Sequence, residues 1–144
     1  MAYIRDILSA KDSKVETIAP NTTVFEALKL MRDKEIGALV VMENEKLVGI
    51  ISERDYARKI ILQGKTSKET LVKEVMSSNL FCVSPDNPVE EAMVLMTGKH
   101  VRHLPVCDGN KFVGIISIGD VVKSIISNKD FLIDQLSNYI SGKY

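Results

Sequence analysis

Apolar residues in this chain switch between helical and strand spacing in a fixed order, and the order occurs twice. Val15 to Ala19 is a short apolar-rich run stopped by Pro20-Asn21, which predicts a strand. Thr22 or Thr23 then caps a helix whose stripe is Val24, Ala27, Leu28 and Met31, at three- and four-residue steps. Ile36 to Met42 is a nearly continuous apolar run of strand length. Such a run belongs to a sheet covered on both faces, since a strand with one wet face would alternate. Glu43-Asn44-Glu45-Lys46 makes a turn, and Leu47 to Ile51 returns antiparallel.

The second passage repeats this at a constant offset of 65 residues, from 20–61 onto 85–126, without a gap. Asn87 is placed as helix N-cap with Pro88 at the first helical position, and Val89, Ala92, Met93 and Met96 form the stripe. Val101 to Cys107 and Phe112 to Ile116 are the strands, joined by the hairpin signal Asp108-Gly109-Asn110-Lys111. Two long copies argue for a pseudo-symmetric pair, because a solenoid needs shorter and more numerous repeats. A unit of roughly 60 residues buries little surface by itself, so the copies are expected to share a core. The predicted organisation is α+β (α/β-like): two pseudo-symmetric β-α-β-β-α repeats packed sheet to sheet. Residues 1–62 make the first repeat, 63–74 a polar connector around Gln63 to Lys68, 75–128 the second repeat, and 129–144 a C-terminal helix and tail. In that helix Phe131, Leu132, Gln135, Leu136, Tyr139 and Ile140 recur at helical spacing, which predicts packing on the chain itself or on a partner subunit. The closing run, Tyr139 to Tyr144, is unusually aromatic for a tail.

Composition narrows the function. Nineteen basic residues balance nineteen acidic ones, so no global field favours nucleic acid or an acidic membrane surface. The opening MAYIRDILSAKDSK lacks the apolar stretch of a signal peptide, and no run approaches a membrane span; a soluble, cytoplasmic protein is expected. Cys82 and Cys107 lie in strand-like apolar segments and read as buried thiols, with a redox role or a disulfide as the other readings. His100, His103 and Cys107 do not make a metal site, because in a strand positions 100 and 103 point to opposite faces. No nucleophile–base pair and no GxxxxGK[ST] loop occurs, so neither an enzyme nor a catalytic residue is expected.

The informative segments are Gly49-Ile50-Ile51-Ser52-Glu53-Arg54-Asp55 and Gly114-Ile115-Ile116-Ser117-Ile118-Gly119-Asp120. A strand ends in serine, and an acid follows three residues later as a helix begins. One reading is helix capping, with the Asp also favoured by the helix dipole. The other is a nucleotide site, in which the carboxylate accepts from ribose hydroxyls and the helix N-terminus offers N–H groups to phosphate.

These double G-I-I-S-x-x-D strand ends, with V-R-H-L-P-V in the second copy, resemble a tandem pair of CBS domains, the regulatory module named after cystathionine β-synthase. The likeness runs from about Val15 to Ile126. Ser52 to Tyr56, Arg58 to Ile61 and the tyrosine-ended tail further resemble a small stand-alone subfamily of bacteria and plant organelles. The resemblance implies an adenine nucleotide (AMP, ADP, ATP, NAD(H)) or S-adenosylmethionine bound in clefts between the copies, with no catalytic cofactor. It assigns ribose to Asp55, Asp120, Ser52 and Ser117. Thr17, Ile18, Ile36, Gly37, Ala38, Cys82, Val83, Val101 and Pro105 are the implied adenine contacts. Arg54, Arg102 and His103 are the candidates for phosphate, and because Gly119, Gly37 and Ala38 hold the equivalent positions of the other copy, the two sites are expected to differ. It implies as well a disc-shaped homodimer acting on an unnamed regulated protein as an energy or redox sensor. A nucleotide-free interaction module is the alternative.

Overall fold

The computed structural model describes residues 2–11 and 15–142; the last two residues of the aromatic tail lie outside that range. The elements are α1 (Ile4–Ala10), β1 (Thr17–Ile18), α2 (Val24–Lys34), β2 (Ala38–Glu43), β3 (Lys46–Ser52), α3 (Glu53–Lys59), α4 (Val72–Val75), α5 (Val89–Lys99), β4 (His103–Asp108), β5 (Lys111–Ser117) and α6 (Ile118–Ile140). Helices and strands mix as expected, in two small sheets. In one, β1 runs parallel to β2 and β2 antiparallel to β3; in the other, β4 and β5 are antiparallel, with a parallel bridge from Val83 to Val106. Both hairpins shift register at equivalent places, Val41/Met42 and Val106/Cys107. Ala38 through Val41 are buried in succession, so both faces of β2 are covered, as the continuous apolar run requires.

One helix end is as expected and two differ. Thr23 caps α2, its hydroxyl accepting from the Glu26 N–H at 3.3 Å. Asn87 does not cap α5: Pro88 is the N-cap, and the Asn87 carboxamide accepts instead from the Ser84 N–H at 2.8 Å, closing the preceding turn. The expected separate terminal helix is the continuation of α6, which runs unbroken from Ile118 to Ile140. Phe131, Leu132, Ile133, Leu136, Tyr139 and Ile140 on it are all exposed and form no part of the buried core.

Packing divides the chain into two compact units, Lys14–Phe81 and Met1–Ser13 joined to Cys82–Tyr144. The helix that precedes the first repeat therefore belongs with the second, and α4, which precedes the second, belongs with the first. These helices are themselves a repeat. Tyr3-Ile4-Arg5-Asp6-Ile7-Leu8-Ser9 matches Leu71-Val72-Lys73-Glu74-Val75-Met76-Ser77, at an offset of 68 where the repeats that receive them keep 65. The hydrogen bonds match too. Ile4 N–H donates to Asn87 O and Val72 N–H to Thr22 O; Arg5 N–H donates to Pro85 O and Lys73 N–H to Pro20 O. Asp6 accepts from the Tyr3 N–H at 2.8 Å and Glu74 from the Leu71 N–H at 2.6 Å, so each short helix is capped by its own acid.

Each of these helices completes a core. Val72 and Val75 join Val24, Ala27, Met31, Leu39, Val41, Ile51 and Ile60 in one cluster. Ile4 and Ile7 are buried in the other unit, where Val89, Ala92, Met96, Leu104, Val106, Ile116 and Val121 are buried as well. Glycines at equivalent positions of β3 and β5 make room for them. A Cβ on Gly49 would lie 2.5 Å from Met76 Sδ and 3.1 Å from the Ser77 carbonyl oxygen; one on Gly114 would lie 2.8 Å from Leu8 Cδ2. Backbone cannot yield as a side-chain tip can. Gly49→Ala is expected to cost roughly 1–3 kcal/mol by overpacking, while Gly114→Ala stays near neutral as Leu8 turns aside; urea unfolding of the two variants checks the order.

Candidate functional site

Each third strand ends on the serine that starts the next helix, and the two junctions are alike in detail. Ser52 Oγ accepts from the Asp55 N–H at 3.2 Å, while Asp55 Oδ2 accepts from the Ser52 N–H at 2.9 Å and from the Ser52 hydroxyl at 3.1 Å. Ser117 and Asp120 exchange the same pair of bonds at 3.1 and 2.9 Å. The capping role is thus realised, with Asp where Glu or Gln is commoner.

Neighbouring strands bring other candidates to the junctions. Gly37 O accepts from the Glu53 N–H at 3.1 Å and Arg102 O from the Ile118 N–H at 2.8 Å. Ala38 stands opposite Ser52 and His103 opposite Ser117. Thr17 and Ile18 lie along the other edge of β2, opposite Val40 and Val41; Val83 lies along β4, its N–H donating to Pro105 O at 3.0 Å. Cys82 is exposed and Cys107 half-buried, so the expectation of two buried thiols fails for Cys82. His100 ends α5 in the left-handed region (φ 56°) and is outside the strand that begins at His103.

Two lysines absent from the expected set complete the junctions. Lys59 Nζ lies 3.1 Å from Asp55 Oδ1 and donates to Val75 O at 2.9 Å. Lys11 Nζ lies 2.8 Å from Asp120 Oδ2 and donates to Ile115 O at 3.0 Å. Both aspartates carry a lysine, but from different places in the chain. Lys59 is four residues along the helix from Asp55, a spacing visible in sequence. Lys11 follows α1 and reaches Asp120 only because α1 packs in that unit, so nothing local announces it. The same unit holds a cavity of about 430 Å³ lined by Lys11, Asp120, Asp6, Lys123, Ser124 and Phe131, among others.

Electrostatics follow from this packing. Burial pushes the Asp120 carboxyl up, but the Lys11 ammonium and the Ser117 N–H and hydroxyl outweigh it and hold it below its ordinary 3.8. His103 moves down from 6.5, first through burial, then through the Lys11 charge, with Asp120 opposing and Arg102 assisting. Both leading causes favour its neutral form. Both shifts act in one direction: a group whose folded pKa is depressed stabilises the fold above its unfolded pKa and loses that contribution as pH falls through the folded value. Lys11→Ala is expected to raise the Asp120 carboxyl, read by NMR titration. The stability gap between wild type and variant in urea should narrow as pH falls below 3.8.

Comparison with known proteins agrees with this geometry. The CBS domain family model matches residues 4–62 and 72–127. The mitochondrial CBS domain-containing protein CBSX3 of Arabidopsis thaliana is 39% identical, over 98% of this chain and 73% of its own. A solved CBS-domain protein from Burkholderia ambifaria is 46% identical with a TM-score of 0.85, covering 88% of this chain and 95% of that one. The CBS domain pair of a protein named MJ0100, solved with 5′-methylthioadenosine and S-adenosyl-L-methionine, is 25% identical at a TM-score of 0.76, covering 89% of this chain and 98% of that one. With both repeats matched and the Ser–Asp junction built twice, the chain belongs to the CBS domain family as a tandem pair, a regulatory module.

Proposed function

We propose that this CBS pair binds an adenine nucleotide, of the AMP, ADP, ATP or NAD(H) type, and reports it to a partner protein as an energy or redox sensor in the cytoplasm. The observation that carries the reading is the carboxylate set at a helix N-terminus beside a strand end, built twice. Asp55 and Asp120 accept from ribose hydroxyls, with Ser52 and Ser117 beside them. Arg54 and Arg102 contact phosphate, and neutral His103 offers one N–H. Thr17, Ile18, Ile36 to Ala38, Cys82, Val83, Val101 and Pro105 are the adenine contacts of this reading. The 5′-methylthioadenosine and S-adenosyl-L-methionine in complex with the MJ0100 pair support the ligand class. A homodimer is part of the proposal, and the exposed apolar side chains along the second half of α6 support it.

One observation favours the alternative, a module that works without a nucleotide. Both aspartates are already engaged by serine N–H groups and lysines, so neither needs a ribose for its charge to be met. The readings part on binding. A nucleotide at 100 times its dissociation constant adds about 2.7 kcal/mol to the folded state, a rise of several degrees in melting temperature for a chain this size. At least one of AMP, ADP, ATP, NAD⁺, NADH and S-adenosylmethionine should produce it. Asp55→Asn and Asp120→Asn, which keep an acceptor for the cap, should each weaken the site they serve by about 10- to 100-fold, measured by calorimetry. No shift with any ligand at millimolar concentration establishes the nucleotide-free reading.

A further inference from the structure

Cys82 and Cys107 are distant in sequence and adjacent in space. The Cys107 thiol donates to Cys82 Sγ at 3.5 Å, and neither is in a disulfide. The backbone holds them there: Cys107 N–H donates to Val83 O at 2.9 Å, Val83 N–H donates to Pro105 O at 3.0 Å, and Val83 pairs in parallel with Val106. Cys107 also stands at the register shift of the β4–β5 hairpin, opposite Phe112, with the extra residue, Val113, on β5. The same frame exists in the first repeat, where β1 pairs in parallel with β2 and the hairpin shifts between Val41 and Met42. There the equivalent positions hold Thr17 and Met42. A shared frame bearing two thiols in one copy and none in the other means that the fold itself does not require them.

The geometry points to a redox-active dithiol at Cys82 and Cys107, which closes reversibly to an intramolecular disulfide by exchange with a small disulfide oxidant and reopens with a dithiol reductant. The sulfurs must approach from 3.5 Å to a bond of about 2.05 Å. Residues 78–82, which lead into the Val83 bridge, have no helix or ladder to hold them back. Exposed Cys82 is the sulfur that an oxidant reaches. Its thiolate attacks the disulfide RS–SR, giving the mixed disulfide Cys82–S–SR and releasing RSH. Cys107 then attacks the Cys82 sulfur, displacing the second RS group, which leaves as RSH with the second proton. The protein loses two electrons and two protons, and the oxidant gains both. Burial, and then the adjoining Cys82 sulfur, push the Cys107 thiol up to about 11, so Cys107 is a poor first nucleophile toward the oxidant.

Oxidised glutathione is the probe. Wild-type protein treated with it should lose the mass of two hydrogens while remaining a monomeric mass under denaturing conditions. Peptide mapping should join the peptide of Cys82 to that of Cys107, and dithiothreitol should restore two free thiols. Cys107→Ser, unable to resolve the adduct, should accumulate one glutathionyl group on Cys82; Cys82→Ser should react many-fold more slowly than wild type. The wild-type measurement stands by itself if either variant misfolds. Stable glutathionyl adducts on wild type, a disulfide only between chains, or two thiols that persist at every ratio of oxidised to reduced glutathione overturns the proposal. None of these readouts involves a nucleotide, so the site stands or falls apart from the sensor reading.

Discussion

The architecture depends on a short helix laid against a glycine. Each strand-helix-strand-strand-helix repeat leaves the outer strand of its hairpin open, and three apolar side chains of or next to a short helix from outside the repeat close it: Ile4, Ile7 and Leu8 in one unit, Val72, Val75 and Met76 in the other. The approach is close because Gly114 and Gly49 present no Cβ. Burying those side chains outweighs the conformational entropy of ordering so short a helix, which would not form alone. The helix is therefore a tertiary product, fixed by its core contacts and its capping acid.

That contact also shapes the candidate site. When α1 settles against Gly114, it carries Lys11 to Asp120, depressing both the Asp120 carboxyl and His103. When α4 settles against Gly49, it brings the Val75 carbonyl to Lys59, which is held over Asp55. The two junctions reach the same charge arrangement by different routes. Their difference lies less in the aspartates than in who neutralises them: a neighbour on the same helix in one case, and a residue more than a hundred positions away in the other.

Much of this was legible because it is local. The hairpins, their shared register, the two long amphipathic helices and the Ser–Asp pairs follow from period and turn chemistry, and all appear as read. What escaped was set by distance or by a break in register. The match between Tyr3–Ser9 and Leu71–Ser77 is hidden because its offset is 68, not 65, so a gapless comparison passes over it. Asn87 looked like a cap because its chemistry suits one, yet the turn after Ser84 claimed its side chain. Cys82 looked buried because its neighbours are apolar, although it stands just before the bridge at Val83, where the regular ladder has not begun.

The crossing of the two short helices gives the chain a history as well as a shape. α1 is synthesised before the strands and helices that bury it, which follow Cys82. The unit from Lys14 to Phe81 has every part of its core once Phe81 has emerged, and can close while the rest is still being made. Until then Ile4, Ile7 and Leu8 have no core to enter. α1 is thus made before the unit that it completes, and it finds its place only when the elements after Cys82 are present.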